Sequence, residues 1–142
     1  IRQTMFAEFE LLIHDLEDKG EVLTEELLSK TYLELNKKYF TKEAISDDLI
    51  KLEWARIPHF YTSFYVYKYA TGIAVASKIV SDILDKKEGA LENYMKFLSS
   101  GGNNYPLEIL KKVGIDIAND DTIDKALKMF RDTLEEFKEI TK

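Results

Sequence analysis

The chain has 142 residues, 45% of them hydrophobic and 32% charged, with a formal net charge of −6 and no cysteine. The acidic charge argues against a nucleic-acid binder, and the lack of cysteine excludes disulfides and thiolate zinc sites within the chain. No apolar run approaches the roughly 20 residues that span a bilayer and no signal peptide opens the chain, so we expect a cytoplasmic globular protein without a membrane partner.

The first forty residues predict two amphipathic helices. Thr24 is placed to cap the second helix, and Gly20 can end the first because glycine readily takes the left-handed conformation that follows a helix. Ile1 precedes the first helix without a capping side chain, which predicts a cut inside or just before a helix. Apolar residues at three- and four-residue spacing form the stripe of the first helix: Met5, Phe6, Phe9, Leu12, Ile13 and Leu16.

The middle of the chain predicts a short segment followed by a long helix. Ser46, Asp47 and Asp48 open the short segment, and Pro58 interrupts the pattern that follows it. The long helix is predicted over about residues 61–87. Its second half is rich in small and β-branched residues, which suits a central helix packed on several sides.

The last third of the chain predicts three helices, over 90–99, over 106–113 with Pro106 as its first residue, and from Asp121, which we expect to cap the last helix. No alternating strand pattern competes with these helices. We therefore predict an all-α fold and a single helical region over residues 1–142.

Aromatic residues are concentrated in residues 57–72. On a helix, Tyr61, Tyr65 and Tyr69 would share one stripe, and Tyr67 would lie on the neighbouring stripe. Leucine would suit a purely structural stripe better, because each buried phenol needs a hydrogen-bond partner. These phenols, together with the imidazole of His59, could donate hydrogen bonds to a peptide and to a developing oxyanion. A structural role explains tyrosines at helical spacing more often than a site does, so both interpretations stay open.

Three blocks of the sequence resemble oligoendopeptidase F, of the thimet-oligopeptidase-like metallopeptidases. They are Arg-Gln-Thr-Met-Phe-Ala-Glu-Phe-Glu at 2–10, Pro-His-Phe-Tyr through glycine at 58–72, and Ser-Gly-Gly-Asn-Asn-Tyr-Pro at 100–106 with Leu-Lys-Lys-Val-Gly-Ile-Asp at 110–116. They occur in the family's order and span most of the chain. Asn103 departs from the pattern, since the family frequently has serine there.

The resemblance implies the C-terminal part of a zinc endopeptidase that cleaves internal bonds of short peptides. In the family, two histidines of a His-Glu-x-x-His helix and a glutamate from a following helix hold the zinc. This chain has only His14 and His59, and neither begins that motif. The zinc is therefore expected upstream, and no metal is expected on this chain. Glu8 and Glu10 are interpreted as structural or supporting residues, because the family's glutamate ligand lies before them.

The resemblance also implies roles for four residues. His59 and Tyr67 are the expected catalytic residues, and Tyr61 and Tyr65 the expected substrate-binding residues. His59 would donate to a peptide carbonyl, while Tyr67, with Tyr61 or Tyr65, would stabilise the oxyanion.

Alone, the chain is expected to be inactive. Its expected partners are short peptides and the upstream zinc-bearing portion of the same protein. Without that portion, we expect it to expose an apolar surface and to self-associate. Two alternatives stay open: a stand-alone, non-catalytic helical peptide-binding module, and a purely structural helical scaffold.

Overall fold

The computed structural model describes residues 1–42, 44–118 and 120–142, apart from the side chain of residue 120. Every regular element in these residues is helical, which confirms the all-α prediction. The chain folds into two compact units, residues 1–70 (unit 1) and residues 71–142 (unit 2). The elements are α1 (Arg2–Asp18), α2 (Glu25–Phe40), 3₁₀ segments at Asp48–Arg56 and Pro58–Tyr61, α3 (Tyr67–Leu84), α4 (Ala90–Ser99), α5 (Pro106–Lys112) and α6 (Asp120–Ile140).

Local capping signals fix the ends of the elements in unit 1, as the sequence predicts. Gly20 follows α1 with φ +83°. Thr24 Oγ1 accepts a hydrogen bond from the amide of Leu27 at 3.2 Å and so caps α2. The carboxylate of Asp47 accepts two backbone amides, at 2.8 and 3.0 Å, where the first 3₁₀ segment begins.

The core of unit 1 joins α1 and α2 to the segment that follows them. Phe9 of α1 meets the ring of Tyr32 of α2 edge-on, with centroids 5.2 Å apart. The Tyr32 hydroxyl donates to the buried Glu53 carboxylate at 2.6 Å, and burial, then this bond, raises the pKa of Tyr32. The buried apolar members of this core are Met5, Phe6, Phe9, Tyr32, Leu35, Ile57 and Val66.

Unit 2 has a smaller core, formed by Val75, Leu110, Val113 and Ile115. Beside it lies a buried lysine. Lys78 Nζ is 3.2 Å from Asp82 and 3.0 Å from Asp121, and only 5% of the Lys78 residue surface is exposed. These two carboxylates compensate the cost of burying the ammonium group.

Two predictions about helix starts are wrong. The long helix predicted over 61–87 is shorter, since α3 begins at Tyr67 and residues 62–66 are not helical. The physical reason is that the Val66 side chain is fully buried in the core and the Phe64 amide bonds to Glu10, and both contacts divert the backbone. Asp121 lies inside α6 instead of capping it, and its carboxylate pairs with Lys78.

In the part of the chain that the structure describes, no helix is both long enough and apolar enough to cross a membrane.

Candidate functional site

Three aromatic side chains of unit 1, here called the His59 cluster, come together: His59, Tyr65 and Tyr69. The His59 ring stacks on Tyr65, with centroids 5.5 Å apart and an interplanar angle of 27°, and meets Tyr69 edge-on at 5.3 Å. Nε2 of His59 lies 3.2 Å from the Tyr69 hydroxyl oxygen. All three side chains are exposed or half-buried, so a ligand can reach their polar atoms.

Lys68 places a positive charge on this cluster. Its Nζ lies 3.2 Å from the centre of the Tyr65 ring. Hydrogen bonds from Lys68 and then from Tyr69 lower the pKa of the Tyr65 hydroxyl, and the shared bond raises the pKa of Tyr69. Because the Lys68 ammonium group can only donate, the Tyr65 hydroxyl keeps its own proton to donate to a ligand.

The two phenols of the cluster also contact each other, with the ring centroids of Tyr65 and Tyr69 6.1 Å apart. His59 Nε2 and the Tyr69 hydroxyl share one hydrogen bond, and which of the two donates depends on the imidazole tautomer. The cluster therefore places an imidazole and two phenols, all able to donate hydrogen bonds, side by side.

The other two predicted site residues are placed differently. Tyr61 is 78% exposed, and its hydroxyl donates to the carbonyl oxygen of Ala55 at 2.9 Å. Tyr67 is the first residue of α3 and projects about 200° around the helix axis from Tyr69. The structure therefore brings His59 and Tyr65 together, and adds Tyr69, which the sequence analysis counted among the phenols of the stripe but not among the four expected site residues. The only sequence signal for Tyr69 is its place in the aromatic block.

A backbone turn between the second 3₁₀ segment and α3 positions Tyr65. Phe64, in this turn, has φ +53°, a left-handed conformation that costs a residue with a side chain about 1–2 kcal/mol. The Phe64 amide donates to Oε1 of Glu10 at 2.6 Å. The His14 ring packs against the Phe64 ring with centroids 4.4 Å apart. The side chain of His14 is half-buried.

The two glutamates that resembled metal ligands both make structural contacts. Glu8 accepts from Lys38 Nζ at 2.5 Å and from the Tyr39 hydroxyl at 2.6 Å. The bonds from Lys38 and then from Tyr39 lower the pKa of Glu8. Burial, followed by the bond to Glu8, raises the pKa of Tyr39 to about 12. Glu10 bonds to the Phe64 turn, so both contacts agree with the structural interpretation.

Comparison with known proteins identifies the family. Residues 1–129 match the model of peptidase family M3. The chain belongs to this family. Oligopeptidase PepF of Bacillus subtilis is 49% identical over 139 residues, which cover 98% of this chain and 21% of that protein. An oligoendopeptidase F homolog of Borreliella burgdorferi is 50% identical over the same length, which covers 24% of that relative.

A solved structure agrees with this M3 assignment. The crystal structure of oligoendopeptidase-F from Enterococcus faecium superposes with a TM-score of 0.95 at 44% identity, over 99% of this chain and 27% of that one. The resemblance to oligoendopeptidase F is thereby confirmed. The chain spans about a fifth to a quarter of the length of the curated M3 relatives that it matches.

The zinc that the resemblance implies does not fit the residues of this M3 chain. In 1–42, 44–118 and 120–142, no group of three or more His, Cys, Asp or Glu side chains could hold a metal ion. Of the two histidines, His59 is engaged with Tyr65 and Tyr69, and His14 Nδ1 lies 2.8 Å from the carbonyl oxygen of Glu10. A zinc site in the family sense would need ligands from outside this chain.

Proposed function

We propose that this chain is the C-terminal, substrate-contacting part of a zinc-dependent oligoendopeptidase that hydrolyses internal bonds of short peptides. Residues 1–142 would form a single region of its catalytic domain. The observation that carries the proposal is the His59 cluster, in which an accessible imidazole and two phenols lie together within a member of peptidase family M3. Acyl transfer needs such donors where negative charge develops on the carbonyl oxygen.

Within the cluster, Tyr65 is the residue we propose to donate to the peptide. Its lowered pKa makes Tyr65 a better proton donor than an ordinary tyrosine. The hydrogen bonds with Lys68 and Tyr69 that lower this pKa also orient the Tyr65 hydroxyl. His59 supports Tyr65 by stacking on it, and its Nε2 shares a hydrogen bond with the Tyr69 hydroxyl. One such donor is worth about 10²–10³ in rate.

The roles implied by the resemblance stay predictions beside this geometry. They make His59 and Tyr67 catalytic and Tyr61 and Tyr65 substrate-binding. The geometry favours His59 and Tyr65 as the inner pair. Tyr61 and Tyr67, which are 78% and 53% exposed, remain accessible to a longer peptide.

The zinc and its ligands belong, in this proposal, to a part of the protein outside this chain. The chain alone would then be inactive. Its partners would be short peptides and that zinc-bearing portion, and in the absence of the portion the chain would self-associate. We propose a cytoplasmic location, with neither a nucleic acid nor a membrane among its partners.

The first experiment is to sequence the coding DNA upstream of Ile1. A His-Glu-x-x-His motif within roughly one hundred codons supports the proposal. A start codon directly before Ile1, without such a motif, would contradict it and leave a peptide-binding module as the better account.

The second experiment is made in the longer protein. Tyr65→Phe removes one hydroxyl from the His59 cluster, so kcat/KM for a short peptide should fall about 10²–10³-fold. Tyr94→Phe, the same change in unit 2, is the matched control and should leave kcat/KM within about threefold. Equal effects of the two substitutions would show that the cluster does not contact the substrate.

A further inference from the structure

We propose that Glu10 is a positioning residue for the His59 cluster: its buried carboxyl group holds the backbone turn at Phe64 that sets Tyr65 against His59. Its consequence for catalysis rests on the proposed function, whereas the positioning itself does not.

The turn needs an external anchor. Phe64 has φ +53°, which residues with a Cβ rarely adopt, so the local backbone preference opposes this conformation. The Phe64 amide finds its partner in Oε1 of Glu10, at 2.6 Å and 54 positions away in the sequence. A long-range bond of this kind fixes a conformation that the local sequence alone does not favour.

The turn is held on both sides of Tyr65. Phe64, on one side, is fixed by Glu10 at its amide and by the His14 ring, whose centroid lies 4.4 Å from that of Phe64. Val66, on the other side, is fully buried in the core of unit 1. Tyr65 is therefore fixed at both neighbours, while its own ring stays accessible beside His59.

Glu10 and His14 form one platform on α1. They are four residues apart and so lie on the same helix face, and Nδ1 of His14 is 2.8 Å from the carbonyl oxygen of Glu10. Only 2% of the Glu10 surface is exposed. Among the described residues, no lysine or arginine forms an ion pair with Glu10. A buried carboxyl group without a cation is costly, so its use lies in the hydrogen bond it makes.

Three substitutions separate the reach of this side chain from its charge. Glu10→Gln keeps an acceptor at the same distance without the acid, Glu10→Asp keeps the acid but shortens the side chain, and Glu10→Ala removes both. Glu8→Gln is the matched control, because it weakens the contact of α1 with Lys38 and leaves the turn untouched. The first readouts are the hydrogen-exchange rate of the Phe64 amide and the ring-proton shifts of His59, recorded by NMR on the 142-residue chain.

The length of the side chain at position 10 is expected to decide the outcome of these measurements. Glu10→Asp and Glu10→Ala should speed exchange of the Phe64 amide roughly tenfold or more and move the His59 resonances, whereas Glu10→Gln and Glu8→Gln should not. In the longer protein, Glu10→Asp should lower kcat/KM on the order of 10–100-fold, with most of this restored in Glu10→Gln. If Glu10→Ala does not fold, the comparison of Glu10→Asp with Glu10→Gln tests the inference.

Two results would overturn the inference. An unchanged exchange rate of the Phe64 amide in Glu10→Asp and Glu10→Ala would mean that Glu10 does not hold the turn. Faster exchange at Phe64 with unchanged His59 resonances would mean that the turn does not position the cluster. A longer protein that hydrolyses no peptide even unmodified would refute the proposed function alone, because the NMR measurements do not depend on catalysis.

Discussion

The two units of the chain complete their cores to different degrees. Unit 1 buries Met5, Phe9, Tyr32 and Val66 to 1% exposure or less, whereas the core residues of unit 2 keep 5–9% of their surface exposed. Large aromatic side chains close the core of unit 1, and smaller aliphatic ones form that of unit 2. The core of unit 1 thus contains four fully buried side chains, whereas every residue of the unit 2 core keeps some exposed surface. Both units also carry exposed apolar side chains outside these cores.

The last helix shows the incomplete core of unit 2 most clearly. Six apolar residues of α6 repeat at the spacing of one helix face and are 38–76% exposed: Ile123, Leu127, Phe130, Leu134, Phe137 and Ile140. A continuous apolar stripe of this kind normally packs against another surface. The exposed stripe therefore supports the proposal that the chain has a further portion of a longer protein as its partner.

The largest effect expected from this comparison is on stability. Phe9→Ala should cost about 3–5 kcal/mol, because the ring is fully buried between Tyr32 and Phe60. Leu110→Ala in unit 2 should cost less, about 2 kcal/mol, since its surroundings are already more open. Urea unfolding followed by circular dichroism measures both, and a larger loss for Leu110→Ala would contradict the ranking of the two cores.

A smaller effect is expected at the charge network of unit 2. Burial alone would raise the pKa of Asp82, but hydrogen bonds from Lys125, Lys78 and Lys87 outweigh it and lower the pKa to about 2 from 3.8. A lowered carboxyl pKa stabilises the fold above the unfolded-state value, and this contribution is lost as the pH falls from about 4 to about 2. The difference between these two pKa values corresponds to about 2 kcal/mol in the free energy of unfolding.

Asp82→Asn should remove this contribution. The variant should be about 2 kcal/mol less stable than the wild type at pH 6, and the gap should close toward pH 2. Asp85→Asn, at an exposed position just after α3, is the control. Unfolding measured across this pH range gives the answer, and a gap that stays constant with pH would show that the lysines do not stabilise the ionised form of Asp82.

The exposed stripe of α6 should affect association more than stability. Replacing Leu127 and Phe130 by serine changes two half-exposed side chains, so the free energy of unfolding should change by less than about 1 kcal/mol. The same double substitution should abolish the self-association expected of the chain alone, as light scattering can show. A compact monomer before substitution would mean that the stripe does not associate.

Local signals in the sequence were sufficient for most helix boundaries. Gly20, Thr24 and Asp47 act through contacts within a few residues, so the sequence contains all that decides them. The fold class and the separate helices of unit 2 follow for the same reason. Family membership, in turn, followed from the order of three short blocks, which composition and periodicity do not reveal.

The site itself depends on contacts that the sequence does not contain locally. The aromatic block has helical spacing, yet the bond between Phe64 and Glu10 and the burial of Val66 interrupt the helix there. This interruption moves Tyr65 off the stripe that it would share with Tyr69 and folds both phenols onto His59. Contacts over ten to fifty positions decide this arrangement. Spacing grouped Tyr69 with Tyr65, but it could not show that both phenols meet His59.

The smallest effect concerns the charge at the site of unit 1. Lys68→Met removes the ammonium group over the Tyr65 ring, so the pKa of Tyr65 should rise toward about 10, the ordinary value of a phenol. Lys68→Arg retains the charge and is the control. NMR of tyrosine labelled at the ring Cζ follows Tyr65 and Tyr69 together through the titration.

The free energy of unfolding should not change in Lys68→Met, because Lys68 is exposed and is not part of the unit 1 core. An unchanged Tyr65 pKa in Lys68→Met would assign the lowering to Tyr69 alone, which Tyr69→Phe would then reveal. A raised Tyr65 pKa with an unchanged free energy of unfolding would show that the exposed Lys68 changes the acidity of Tyr65 without contributing to stability. Such independence would distinguish Lys68 from Lys78 of unit 2, whose ammonium group is buried beside two carboxylates.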